Sequence, residues 1–217
     1  EQVVVTTESM KNYTTKIHGI HPGKVTVIPN YVDVEMFAPD PRPTRDKRAI
    51  CFIGRMEAQK NIGPLIEAVA GTNFKLIIIG TGPQRQEMEV LSNRLNADVT
   101  FVDPIPHTEI PEYLSRASLF IQPSLYEGHP KALIEAMASG TPVIGGNSPG
   151  IQELISHKDT GYLCETSAKG IRDAITSVMG NAALRKRLAS NGRDFAVKNF
   201  SLNRVVELEL GLYSSIM

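Results

Sequence analysis

Residues 49–80 read AICFIGRMEAQKNIGPLIEAVAGTNFKLIIIG. An apolar run, Ala49–Gly54, gives way to a polar loop. A helical stretch follows over Asn61–Ala70, and a second apolar run, Phe74–Gly80, closes the unit. Neither run alternates with polar residues, which is the pattern of strands covered on both faces. Such strands need a crossover between parallel neighbours, and the stretch between them is long enough for a helix.

The same rhythm continues outward in both directions. Strands are expected at Gln2–Thr6, Lys24–Ile28, Asp98–Val102, Leu119–Pro123, Pro142–Gly145 and Gly161–Cys164. Helices are expected near Ser9–His18, Pro83–Leu95, Pro111–Ser115, Pro130–Ser139 and Ile151–Ser156. This alternation predicts a doubly wound α/β fold, a parallel sheet with helices on both faces.

Residues Asp33 to Lys47 break the rhythm, because Pro39, Pro41 and Pro43 crowd among polar and charged residues. That composition reads as a linker. Four parts are expected: a piece over 1–32 too small to bury its own core, the linker over 33–47, a main domain over 48–199, and a last helix within 200–217 capped by Ser201. Glu1 runs almost directly into Val3-Val4-Val5, so the chain reads as part of a longer protein.

Composition narrows the function classes. The 217 residues carry 23 Lys plus Arg against 23 Asp plus Glu, a formal net charge of zero. A dedicated nucleic-acid binder would show a basic excess. No stretch approaches the ~18 apolar residues of a membrane span, and the first residues lack the pattern expected of a signal peptide. Cys51 and Cys164 both sit in apolar runs, which suits small core residues kept reduced in the cytoplasm. The histidines lack metal-ligand spacing, and there is neither a P-loop nor an Asp-x-Asp pair, so no metal is expected.

In doubly wound sheets the loops beyond the strand ends bind ligands. The most informative is Pro123-Ser124-Leu125-Tyr126-Glu127-Gly128-His129-Pro130-Lys131, entering a helix at Pro130. The N–H groups of Gly128, His129 and Lys131 at that helix start would form an anion site for a phosphate. Glu127 in the loop and Glu135 on the helix bracket it. Carboxylates suit such a place if their partners are sugar hydroxyls. Otherwise Glu135 pairs with Lys131 at i,i+4 and Glu127 is merely solvated.

The loop Gly54-Arg55-Met56-Glu57-Ala58-Gln59-Lys60 offers two cations where a diphosphate would need them, or else ordinary surface charge. Gly80-Thr81-Gly82-Pro83-Gln84 begins like a dinucleotide fingerprint, but its third glycine would fall at Arg85, so that match fails. What remains is a tight turn. Val102-Asp103-Pro104-Ile105-Pro106-His107 is a loop stiffened by two prolines.

The spacing from Glu127 to Glu135, followed by Ala136-Met137-Ala138-Ser139-Gly140-Thr141-Pro142-Val143-Ile144, closely resembles the Glu-x7-Glu segment of the retaining GT-B glycosyltransferases. Ile28-Pro29-Asn30-Tyr31-Val32-Asp33 resembles that family's interdomain segment, with Tyr31 where glycine is more usual. Pro149-Gly150-Ile151-Gln152-Glu153-Leu154-Ile155 and Gly161-Tyr162-Leu163 also fit, so the similarity runs along almost the whole chain.

The resemblance implies a Rossmann-like C-terminal donor domain. Arg55 and Lys60 would hold a nucleotide-sugar diphosphate beside Gly54, Gly128, His129 and Lys131. Glu135 would bind the ribose, Glu127 the transferred sugar, and Gly80, Gly82 and Ile105 would lie by the nucleotide. The donor is a substrate, so no cofactor is expected. The acceptor, a saccharide or lipid, would be held by another domain, with room for a peripheral membrane link. A non-catalytic nucleotide-sugar module, or an epimerase or phosphorylase of the same fold, remains an alternative.

Overall fold

The computed structural model describes residues 2–40 and 45–216. Pro41 and Pro43 of the expected linker, and Glu1, lie outside the described residues. Among the described residues, eight strands run over β1 (Val3–Val5), β2 (Val25–Val27), β3 (Asp46–Ile53), β4 (Lys75–Ile79), β5 (Val99–Val102), β6 (Ala117–Gln122), β7 (Val143–Gly146) and β8 (Tyr162–Cys164). The helices are α1 (Glu8–His18), α2 (Ile62–Val69), α3 (Arg85–Arg94), α4 (Ile110–Arg116), α5 (Lys131–Ala138), α6 (Ala168–Met179), α7 (Ala182–Phe200) and α8 (Leu202–Ile216).

Six strands form one parallel sheet in the order β5-β4-β3-β6-β7-β8. This is the doubly wound order, reversing direction between β3 and β6. Alternate residues of each strand feed opposite faces. Ile50 and Phe52 of β3, with Leu119 and Ile121 of β6, join the cluster under α2 and α6. Cys51 and Phe120 enter the other cluster, with Leu133 and Met137 of α5. Both cysteines are free and buried, and burial pushes each thiol up to about 12.

The remaining pair, β1 and β2, forms a small parallel unit with α1. Thr7 opens α1 by accepting from the Met10 N–H at 3.1 Å. From the main body, the Glu153 carboxylate accepts from the N–H groups of Glu8 at 2.9 Å and Ser9 at 3.1 Å. A carboxylate at a helix start satisfies orphan donors and suits the helix dipole. Val32 also bridges to Ser201, donating to the Phe200 carbonyl at 2.7 Å. Apolar side chains stay exposed on α1 (Met10, Tyr13, Ile17) and on α8 (Leu202, Val206, Leu210, Tyr213).

Two expected details change. Ile151–Ser156 forms turns rather than a helix. Gly150 enters it at a positive φ, and the chain must return by residue 157 to bridge His157 with Gly161. One turn between such constraints is too short to propagate a helix. The segment read as linker is partly core: Phe37 is fully buried, and β3 already starts at Asp46. Ser201 stands at the break between α7 and α8, where its carbonyl accepts from Val205 N–H at 3.0 Å.

Candidate functional site

Ligand crevices of open α/β sheets lie beyond the strand ends where strand order reverses. Here that place is between β3 and β6. The loop after β3 carries Gly54, Arg55 and Lys60, and the loop after β6 carries Glu127, Gly128 and His129. Across the crevice Lys60 Nζ lies 2.6 Å from Glu127 Oε1, with the side chains 15% and 8% exposed. The same oxygen accepts from Gln122 Nε2 at 2.7 Å.

The loops around this pair are fastened by backbone contacts. Asn61, held at a φ of 60°, donates from Nδ2 to the carbonyls of Pro123 at 3.1 Å and Thr166 at 2.7 Å. Glu127 N–H donates to the Pro149 carbonyl at 3.1 Å. Beneath it Gly150 adopts a φ of +80°, and a Cβ there would stand 2.1 Å from the Glu127 carbonyl oxygen. Only glycine permits both the conformation and the approach.

Arg55 is not brought to Lys60. Its side chain is 75% exposed and its Nε pairs with Glu57 at 2.9 Å. Glu135, on α5 one turn beyond Lys131, is 4% exposed and meets His107 Nε2 at 2.8 Å, with the His107 side chain 47% exposed. Burial pushes the Glu135 carboxyl above its ordinary range, while the bond to His107 and the charges of His107 and Lys131 pull it back. The reading that paired Glu135 with Lys131 is therefore corrected: Lys131 Nζ sits over the Tyr31 ring, 4.9 Å from its centre.

His129 is buried, and its ring nitrogen Nδ1 accepts from Asn30 N–H at 3.2 Å. Its carbonyl accepts from Asn30 Nδ2 at 2.6 Å. Burial pushes its pKa down to about 4, against the opposing charge of Glu153. Helix α5 starts at Lys131, one residue later than expected from Pro130, and no side chain caps it. Its first-turn N–H groups are thus left for solvent or a ligand.

Gly80 and Gly82 sit where the loops after β3 and β4 touch. Met56 N–H donates to the Thr81 carbonyl at 2.9 Å, and a Cβ on Gly80 would meet the Gly54 oxygen at 2.3 Å. Arg85, which occupies the failed fingerprint position, donates to the Gly80 carbonyl at 3.0 Å and lies over the Phe101 ring. A cavity of about 260 Å³ is lined by Ile53, Gly54, Ile79, Gly80, Pro104 and Ile105. Such an apolar slot suits a flat ring. A larger cleft of about 580 Å³ lies between α1 and the Glu127 loop, lined by Met10, Tyr13, Tyr126 and Glu127.

Among the described residues no cluster of His, Cys, Asp and Glu is arranged to hold a metal ion. No helix there is long and apolar enough to cross a membrane. Gln122 and His107 contact the two carboxylates, and neither is singled out by sequence reasoning. Gln122 carries one signal, an amide ending a strand of buried residues.

With this geometry in view, residues 35–195 match the family model for glycosyl transferases group 1. The chain belongs to the group 1 glycosyltransferases. Glycogen synthase of Mycobacterium tuberculosis is 28% identical over 225 residues, which cover 98% of this chain and 54% of that protein. Sucrose-phosphate synthase of Thermosynechococcus elongatus superposes with a TM-score of 0.88 at 27% identity, covering 99% of this chain and 58% of its own. The Anabaena protein HepE, solved with UDP-glucose, shares the fold at a TM-score of 0.86 and 19% identity, over 99% of this chain and 63% of its own. This group 1 glycosyltransferase chain spans about half the length of the curated relatives it matches. Its parallel sheet is the Rossmann-like C-terminal half of a GT-B fold.

Proposed function

We propose that this chain binds a nucleotide-diphosphate sugar and, together with an acceptor domain, transfers the sugar to an acceptor hydroxyl with retention of configuration. The observation that carries the reading is the Lys60–Glu127 pair, held at 2.6 Å between the loops that follow β3 and β6. A cation for the diphosphate and a carboxylate for the sugar then stand side by side where the strand order reverses.

In this reading the bond from the anomeric carbon to the diphosphate breaks, and the acceptor oxygen bonds to the same face. Lys60, Arg55 and the uncapped start of α5, with the N–H groups of Gly128, His129 and Lys131, stabilise charge on the departing diphosphate. Arg55 reaches it by leaving Glu57, an exposed pair that is cheap to break. Glu127 positions the sugar and stabilises positive charge at its ring. The base lies in the slot beside Ile105, and Glu135 takes the ribose once His107 swings aside. No cofactor is invoked, and no metal is required in this half. The exposed apolar faces of α1 and α8 would receive the acceptor domain, and the Glu127 cleft would open onto the acceptor.

Calorimetric titration of the intact protein with UDP, GDP, ADP and their sugar forms tests the assignment. Saturable binding of one nucleotide family, weakened by about 1–3 kcal/mol in Lys60→Ala and Glu135→Ala, is the expected result. Absence of binding to all of them would remove the donor-site reading.

A further inference from the structure

Strand β6 is buried at every position from Ala117 to Gln122. Its two polar residues have different fates. Ser118 donates from Oγ to the Asp46 carbonyl at 2.8 Å and is satisfied within the sheet. Gln122, 2% exposed, donates from Nε2 to Glu127 Oε1 at 2.7 Å, while its own Oε1 is buried without a partner. A buried amide with an idle carbonyl costs stability, and an apolar residue of the same size would avoid that cost. Such a group calls for an explanation beyond packing.

Its contact supplies one. Glu127 Oε1 receives two donors, Gln122 Nε2 at 2.7 Å and Lys60 Nζ at 2.6 Å. Glu127 Oε2 takes no hydrogen bond from the described residues. One oxygen is clamped and the other is left to a ligand. The two donors are not equivalent, because Lys60 is a cation on a flexible four-carbon stem that an arriving diphosphate would attract. Gln122 is neutral, short and enclosed by the sheet, so an anion cannot draw it away.

We propose that Gln122 is a positioning residue for Glu127. It keeps one carboxylate oxygen fixed when Lys60 turns to the diphosphate, so that the other oxygen meets the transferred sugar. This rests on the donor-site reading above and adds the residue that holds the sugar-facing carboxylate in place.

The test uses the intact protein with Gln122→Met, which keeps the volume and removes the donor. The probes are UDP, GDP and ADP and their glucose forms, with release of the diphosphate from the sugar nucleotide as the rate. In Gln122→Met the affinity for the bare diphosphate should stay within about twofold. The kcat for release should fall about tenfold or more, with KM changed less than about threefold, since the lost interaction orients the reacting sugar. Added to Glu127→Gln, the same substitution should cost nothing further, because both act through one contact.

Gln122→Glu covers the case in which the first variant does not fold. Its carboxylate repels Glu127 at neutral pH, whereas its protonated form can donate, so its rate relative to wild type should rise as pH falls. Unchanged kcat in the variants, or an equal loss of bare-diphosphate binding, would overturn the proposal and leave the donor site standing. Failure of the wild-type protein to bind any of the three diphosphates would overturn both.

Discussion

Lys60 and Glu127 form a nearly enclosed ion pair that joins the loops after β3 and β6, and Gln122 shares the glutamate oxygen. The more enclosed partner is Glu127, so removing the lysine strands the charge that is harder to rehydrate. Lys60→Met should lower unfolding stability by about 1–3 kcal/mol, since Gln122 still donates to the carboxylate. Glu127→Gln should cost less, because Lys60 can extend toward water. Urea unfolding checks the order, and the double variant should fall short of the sum.

Glu135 depends on His107. In His107→Ala the buried carboxylate loses its hydrogen-bond partner, which should cost about 1–3 kcal/mol at neutral pH. The sign of the pH dependence follows from the shift. A carboxyl raised above its ordinary value holds its proton more readily when folded, so the penalty of ionisation is complete above the folded pKa and fades as pH falls. The carboxyl's own contribution to stability should therefore rise as pH falls, which urea midpoints of wild type against Glu135→Gln at a series of pH values would check.

His129 predicts acid sensitivity. Its pKa falls from 6.5 to about 4 on folding, so the unfolded chain binds the extra proton between those values. Stability is fully present above 6.5 and is lost as pH drops toward 4, by about 3 kcal/mol for this shift. Glu135 opposes the loss where its own titration overlaps. His129→Gln, which cannot titrate, should flatten that part of the stability curve, as measured by urea midpoints at a series of pH values.

Gly150 sets the height of the Glu127 loop. A methyl group there would clash with the Glu127 and Gly128 carbonyl oxygens and would force an alanine into positive φ. Gly150→Ala should cost about 2–4 kcal/mol in stability. It should also weaken binding of the sugar nucleotide and of the bare diphosphate alike, because the displaced loop carries Glu127 for the sugar and the Gly128 N–H for the diphosphate. Parallel melting and calorimetry would separate the two effects.

Much of the fold was legible because parallel strands are covered on both faces and therefore spell continuous apolar runs, as at Phe74–Gly80. The helix expected at Ile151–Ser156 failed because Ile151, Leu154 and Ile155 are apolar for burial between two turns, and helical spacing alone cannot distinguish the cases. Loops after strands pointed to Lys60 and Glu127 separately. Their meeting at 2.6 Å depends on β3 and β6 being neighbours, which local sequence does not encode. His107 was set aside for want of metal spacing, and its bond to Glu135 spans 28 residues of chain. The outward turn of Arg55 is likewise a choice among rotamers that a residue string leaves open.

The two enclosed thiols make the folded protein silent to thiol-directed reagents. Reaction requires the thiolate, and at Cys51 and Cys164 burial withholds both the charge and the access. A single cysteine introduced at the exposed Tyr126 or Tyr13 would thus carry a fluorophore without first stripping the native background. The same silence turns unmodified Cys51 into a clock: the moment it accepts a maleimide, the central strand has come apart.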